Sequence, residues 1–182
     1  MQKRSHKLLA QSLIDSYDGF SKRRFELAFL FGSFEPDCNP LSYIKGSRRG
    51  RALMGHNFSN SQAFIHRRIR RLQDRDHWTV WQYYTLGKLT HYLADAFTFP
   101  HNDTYADSLM AHRRYEHDLR LYLSCHLAGQ VLRPARAAAD PAAAIDRLHC
   151  QYLRSGSDWQ RDMRYILRAN SLLLACLLPQ AL

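Results

Sequence analysis

Apolar residues recur every three or four positions along most of the chain, which is the spacing of one helix face. The first such stretch follows Ser5, a residue type that caps helix N-termini, and places Leu9 and Leu13 near one face. The same spacing predicts six further helices, over residues 22–31, 52–72, 78–97, 105–128, 141–153 and 158–178.

Helix-breaking residues separate these stretches. The segment 32–50 contains three glycines and two prolines, and we expect an ordered loop there. Pro100 and Pro179 end two of the predicted helices, while Asp140 and Ser157 are capping residues at the start of the last two.

Composition agrees with an all-helical protein. Leucine occurs 26 times against two valines and six isoleucines, whereas strands are enriched in β-branched residues. A chain of 182 residues with 46% hydrophobic residues predicts one domain, spanning residues 1–182, with a sizeable core. The predicted fold is all-α, a single multi-helix bundle. The net charge of +10 favours anionic partners.

Two features bear on location. The four cysteines, at positions 38, 125, 150 and 176, form no CxxC pair and are predicted to be free, mostly buried thiols in a reducing compartment. The start of the chain lacks the apolar run of a signal peptide, and the longest apolar run, residues 172–178, is far shorter than the roughly 20 residues of a membrane-spanning helix. These patterns predict a cytoplasmic protein without an integral membrane segment.

Histidine and carboxylate residues form two pairs at helical spacing. His91 and Asp95 are four residues apart on one predicted helix, and His112 and Glu116 repeat the spacing on the next. One such pair is more often a surface ion pair. Because two pairs lie within 26 residues, with His101 between them, the pattern favours a two-metal site.

Three candidate residues lie upstream of these pairs. Asp37 is expected in a proline-flanked turn within GSFEPD, His56 follows Gly55 near the start of the third helix, and His6 is in the first turn of the first helix. Taken singly, each has a plain structural explanation as a turn former or a helix-start residue.

Taken together, the order of these residues resembles the bacterial zinc-dependent phospholipase C family, which shares its fold with the fungal single-strand nucleases. The resemblance is sharpest in HYLADAFTFPH, where the family has HYxxD followed by a proline–histidine step, and in HRRYE, which matches its H-x-x-Y/F-E pattern. The opening SHKLLAQSLID is similar to the family's first helix. In motif form the resemblance covers residues 5–117, approximately.

The resemblance implies zinc ions held in a cleft. The implied ligands are Asp37, His56, His91 and Asp95 for one ion, His101, His112 and Glu116 for a second, and His6 with a shared Asp95 for a third. In secreted members the N-terminal tryptophan of the mature chain completes the third site. Here five residues precede His6 and the chain begins Met1-Gln2. We therefore expect two zinc ions, with the third absent, weakly held, or completed by water and substrate. Iron or manganese is an alternative to zinc.

The implied function is hydrolysis of a phospholipid or related small phosphoester by metal-activated water. Asp37 is either a ligand or the catalytic base. Two alternatives stay open: a hydrolase of single-stranded nucleic acid or nucleotides, and a non-catalytic basic metal-binding protein.

Two further clusters have alternative explanations. A basic cluster on the third predicted helix could contact nucleic acid, although such a run is more often a solvated helix face. It consists of Arg67, Arg68, Arg70 and Arg71. An aromatic cluster could stack on a base or a choline-like headgroup, although core packing is expected for at least half of it. It consists of Trp78, Trp81, Tyr83 and Tyr84.

Overall fold

The computed structural model describes residues 1–38, 58–102, 105, 108–127, 129–156 and 158–179. Within these ranges the chain forms seven α-helices, one short 3-10 helix and no strand. The helices are α1 Lys3–Ser16, α2 Arg23–Cys38, α3 Phe58–Gln73, α4 Val80–Ala96, the 3-10 helix Phe99–His101, α5 Leu109–Leu127, α6 Pro141–Leu153 and α7 Trp159–Leu177. The prediction of an all-α bundle is confirmed.

Helix α4 lies at the centre of the bundle. It packs against α1, α2, α3 and α7, and most of its residues from Leu86 to Ala96 are buried. A helix that is apolar on nearly all sides belongs in a core rather than on a surface. The polar residues buried on this helix, among them His91 and Asp95, are therefore enclosed by the surrounding helices.

Helices α2 and α4 cross at glycines. A side chain at Gly32 would overlap the Tyr84 carbonyl oxygen, and one at Gly87 would overlap the Phe29 carbonyl oxygen. Each helix thus presents a residue without a Cβ where the backbone of the other passes. Only glycine permits this approach, since the atoms in the way belong to the partner backbone.

The close crossing corrects the prediction for α2. The helix does not end at residue 31 but continues through Gly32 and Pro36 to Cys38. Pro36 removes one helical hydrogen bond, at a cost of about 3 kcal/mol in a helix interior. It lies in the last turn and is buried, as are Gly32 and Ser33, so packing offsets the cost. The predicted proline-flanked turn around Asp37 is wrong: Asp37 lies in the last turn of α2.

Other helix starts follow their caps. The Asp140 side chain accepts a hydrogen bond from Ala143 N, and α6 has the predicted bounds. Asp158 caps α7 by accepting from Arg161 N, whereas Ser157 lies outside the described residues. Helix α1 begins at Lys3, so Ser5 is a buried helix residue and not its cap.

Two remaining predictions differ from the structure. Helix α5 begins at Leu109, later than expected. The described part of α3 runs from Phe58, and its predicted start at residue 52 lies outside the described residues. Three cysteines are exposed and Cys176 is half-buried, so the prediction of mostly buried thiols is wrong. None of the helices described here has the length and apolar character needed to cross a membrane.

Candidate metal centre

Five elements meet at the candidate site. The first turns of α1, the last turn of α2, the second half of α4, the 3-10 helix and the first turns of α5 each contribute a histidine or a carboxylate. Their side chains form two groups, each with ligand atoms within 4.8 Å of one another. The first group is His6, His91 and Asp95, and the second is His101, His112 and Glu116.

The first group is fully enclosed. His6 Nε2 lies 3.2 Å from Asp95 Oδ1, and His91 Nε2 lies 3.3 Å from Asp95 Oδ2. The two imidazoles stack with their ring centroids 4.0 Å apart. Asp95 thus directs one carboxylate oxygen toward each imidazole. This is the arrangement in which one carboxylate can bind two neighbouring cations.

Hydrogen bonding tests whether these residues fit a metal. The Nδ1 atom of His91 lies 3.0 Å from the Ser33 carbonyl oxygen, which can only accept, so Nδ1 carries the proton. In the neutral ring, Nε2 then presents a lone pair to the Asp95 carboxylate. Two acceptors at 3.3 Å require a proton or a cation between them.

The hydrogen bonding of His6 also indicates a cation site. Although its Nε2 is close to Asp95, neither ring nitrogen has a hydrogen-bond partner within the described part of the chain. Buried polar atoms are almost always hydrogen-bonded or bound to a metal. The donor set of the first group therefore fits a divalent ion.

Asp37 lies beside the first group. Its Oδ1 is 3.7 Å from His91 Nε2, and its Oδ2 is 3.9 Å from His6 Nε2. The side chain is partly exposed, unlike those of the first group. The structure therefore brings Asp37 to the expected place by extending α2.

The second group converges on one oxygen. His101 Nε2 lies 3.0 Å and His112 Nε2 lies 3.2 Å from Glu116 Oε1. Burial alone would raise the pKa of Glu116, but the Met1 amino group and the hydrogen bonds from both histidines hold it well below its usual range. Burial and the Met1 charge lower the pKa of His101. An ionised carboxylate with a neutral imidazole is the state that metal binding requires.

A positive charge already lies where the two groups meet. The Met1 amino nitrogen is 2.6 Å from Asp95 Oδ1, 3.0 Å from His101 Nε2 and 3.1 Å from Glu116 Oε1. Burial alone would lower the pKa of this amine, but the carboxylates of Asp95, Glu116 and Asp37 raise it to about 11. The same amine and the three nearby histidines hold the pKa of Asp95 far below normal, against the effect of burial. The carboxylates at this point therefore stabilise a positive charge.

A buried carboxylate supports the second group, and the sequence reasoning missed it. Asp162 Oδ2 accepts hydrogen bonds from Phe99 N and from the Tyr115 hydroxyl, each at 2.9 Å. Its Oδ1 accepts from the Tyr152 hydroxyl at 2.8 Å and from Arg161 at 2.8 Å. Asp162 thus joins the 3-10 helix, which holds His101, to the helix that holds the other two members. The sequence feature that could have identified Asp162 is a carboxylate on the apolar face of α7.

The ligand His56 implied by the resemblance lies outside the described residues. The other seven candidates, all within them, lie together at this one site. They are His6, Asp37, His91, Asp95, His101, His112 and Glu116.

A helical bundle with two neighbouring histidine–carboxylate groups has the ligand pattern of a metal-binding helical protein. Within that class, the model of the family described as zinc dependent phospholipase C matches residues 5–165. The chain therefore belongs to the zinc-dependent phospholipase C family, and the resemblance inferred from the motifs is confirmed. Searches of curated proteins and of solved structures found no match.

Proposed function

We propose that this protein is a zinc-dependent hydrolase of phospholipids or related small phosphoesters. The observation that carries the proposal is the convergence of two histidine–carboxylate groups on one cleft in a chain of this family. These residues would hold zinc, which when bound would supply Lewis-acid chemistry: a lowered pKa of bound water and neutralisation of charge on the phosphoryl oxygens.

The proposed ligands follow the two groups. His101, His112 and Glu116 would hold one ion. His91 and Asp95 would hold another together with His56, and Asp37 would be either a further ligand of that ion or the catalytic base. His6, whose Nε2 faces the other oxygen of Asp95, would hold a third ion. The proximity of His6 and His91 to one carboxylate supports sharing of Asp95 between two ions.

Protonation supports the roles of individual residues. Asp95 and Glu116 are held ionised, so they can bind cations without first losing a proton. Asp37 is partly exposed and lies outside the compact first group, which suits a residue that accepts the proton of an attacking water. A ligand role for Asp37 is the alternative.

Metal analysis combined with a substrate panel tests the proposal. Protein purified without added metal should contain at least two zinc equivalents per chain, since the two groups supply separate ligand sets. It should hydrolyse soluble phosphodiesters or phospholipids, lose that activity with a chelator, and regain it with zinc. Less than one equivalent, with none taken up from added zinc, would contradict the metal site.

The same panel separates the alternatives. Preferential cleavage of single-stranded oligonucleotides would replace the phospholipase assignment by the nuclease one. Loaded protein that cleaves none of these esters would support the non-catalytic metal-binding protein. Recovery of activity by iron or manganese, but not by zinc, would replace the assignment of zinc as the metal.

A further inference from the structure

An aromatic surface lies next to the metal centre. We call it the aromatic strip, formed by Trp81 and Tyr84 of α4 and by Phe31 and Phe34 of α2. Trp81 contacts Tyr84 edge to face at 6.2 Å, Tyr84 stacks on Phe31 at 6.0 Å, and Phe31 contacts Phe34 at 5.6 Å between ring centroids. Trp81 is 70% exposed and Phe31 is 52% exposed.

The strip contains only two members of the aromatic cluster at residues 78–84, because the other two pack against the core. Tyr83 is buried and donates a hydrogen bond to the Gly19 carbonyl at 2.8 Å, while Trp78 packs edge-on against it. The structure thus divides the cluster: Tyr83 and Trp78 pack against the core, whereas Trp81 is exposed and Tyr84 is half-buried. Exposed apolar side chains that touch one another mark an interaction surface more often than scattered ones do.

Cations lie at one end of the strip. The ammonium groups of Lys3 and Lys7, both exposed on α1, lie 5.0 Å and 4.3 Å from the Phe34 ring centroid. Neither lysine forms an ion pair with a residue that the structure describes. Lys88, in contrast, is paired with Glu35 at 2.8 Å. Among the described residues, the charge at this end of the strip that has no ion-pair partner is therefore positive.

The strip lies within one helical turn of two residues of the metal centre. Phe34 precedes Asp37 by one turn of α2, and Lys3 precedes His6 by one turn of α1. A surface that bound this strip would therefore lie beside the candidate metal site.

We propose that the aromatic strip, with Lys3 and Lys7, binds the surface of an anionic phospholipid bilayer. Tryptophan and tyrosine rings suit the boundary between acyl chains and headgroups, and lysines attract anionic lipid. A net charge of +10 opposes association with a second copy and favours an anionic surface. The inference rests on the proposed function, because it names how a phospholipid substrate would be presented to the cleft.

Vesicle binding tests the proposal directly. Zinc-loaded protein should sediment with vesicles of phosphatidylcholine mixed with phosphatidylserine, bind phosphatidylcholine vesicles less, and dissociate from the mixed vesicles in high salt. Replacing Phe31 and Trp81 together by serine should weaken binding by about tenfold or more. Replacing Lys3 and Lys7 by glutamine should weaken it about fivefold for each lysine and reduce its salt dependence.

A matched control comes from the opposite end of α1. Val131 is 78% exposed, next to Leu132, whose amide nitrogen contacts Ser16 at the end of that helix. Val131→Ser removes an exposed apolar side chain away from the strip and should leave vesicle binding unchanged. Equal loss in Val131→Ser and the double serine variant would overturn the proposal.

A fluorescence measurement avoids dependence on the serine variants folding. Brominated lipid in the mixed vesicles should quench part of the tryptophan emission, and Trp81→Phe, which keeps an aromatic ring, should remove that quenching. Quenching that persists in Trp81→Phe would contradict the proposal. So would a wild-type protein that self-associates through the strip and ignores vesicles.

Hydrolysis of a water-soluble phosphodiester separates this proposal from the proposed function. The Phe31 and Trp81 double variant should retain that activity, since neither residue is part of the metal groups. Wild-type protein that cleaves the soluble ester without binding vesicles would overturn only the proposal that the aromatic strip binds a bilayer. Protein that binds vesicles through the strip but cleaves no ester would overturn only the hydrolase assignment.

Discussion

The close crossing of α2 and α4 makes Gly87→Ala the most informative perturbation of the site from outside it. A methyl group at position 87 would overlap the Phe29 carbonyl oxygen and lie 2.9 Å from the Ser33 backbone nitrogen. Both atoms belong to the backbone of α2 and cannot rotate away. Relief of the overlap therefore requires the two helices to separate.

Two opposing contributions determine the stability change. Alanine is favoured over glycine in a helix interior by about 1 kcal/mol. Overpacking costs about 1–3 kcal/mol, and a clash with backbone belongs at the upper end or above it. We therefore expect the free energy of unfolding to fall by about 2 kcal/mol.

The separation also changes the metal site. The Ser33 carbonyl accepts from His91 Nδ1 at 3.0 Å, and a moving α2 would withdraw both this carbonyl and Asp37 from the first group. Loss of a hydrogen bond that orients a metal-binding histidine typically lowers affinity about 10–100-fold. We expect a decrease in that range for zinc.

Urea unfolding of the metal-free protein and zinc competition against a chromophoric chelator measure the two effects. Gly129→Ala is the matched control, because a methyl group there meets nothing within 4 Å while φ is +74°. Its left-handed backbone should cost about 1–2 kcal/mol without any change in zinc affinity. If Gly87→Ala is as stable as wild type, or binds zinc as tightly, the close crossing does not control the site.

Three further predictions concern individual side chains. Asp95→Asn should greatly lower metal content and abolish hydrolysis, measured by metal analysis and turnover, while the helical circular dichroism signal persists. The control Asp74→Asn, at an exposed position, should have no effect. Full metal content in Asp95→Asn would contradict the proposed site. Asp162→Asn leaves buried donors poorly paired and should reduce the free energy of unfolding by about 3 kcal/mol and weaken zinc binding; a loss below about 1 kcal/mol would refute its supporting role. Replacing Arg67 and Arg70 by alanine should leave ester hydrolysis and oligonucleotide binding near wild type. If instead the slope of oligonucleotide affinity against salt concentration falls by about one unit per arginine, the nuclease alternative is favoured.

Local patterns were sufficient for much of this protein. Helical periodicity and capping residues determine within two residues where α4, α6 and α7 begin and end, as at Asp140 and Pro141, because their hydrogen bonds are made within a few residues. The spacing of His91 with Asp95 and of His112 with Glu116 likewise places each pair on one helix face whatever surrounds it.

The tertiary structure alone decided the rest. The glycines and prolines of residues 32–50 predict a loop, yet packing against α4 keeps residues 32–38 helical and carries Asp37 to the first group. Asp162 supports the second group through hydrogen-bond partners up to 63 residues away in the sequence, and its local sequence does not predict which residues these are. Likewise, adjacent aromatics such as Tyr83 and Tyr84 differ in burial according to the helices that cover them. Contacts between distant segments depend on how whole helices pack, and that packing is determined by the entire core rather than by neighbours along the chain.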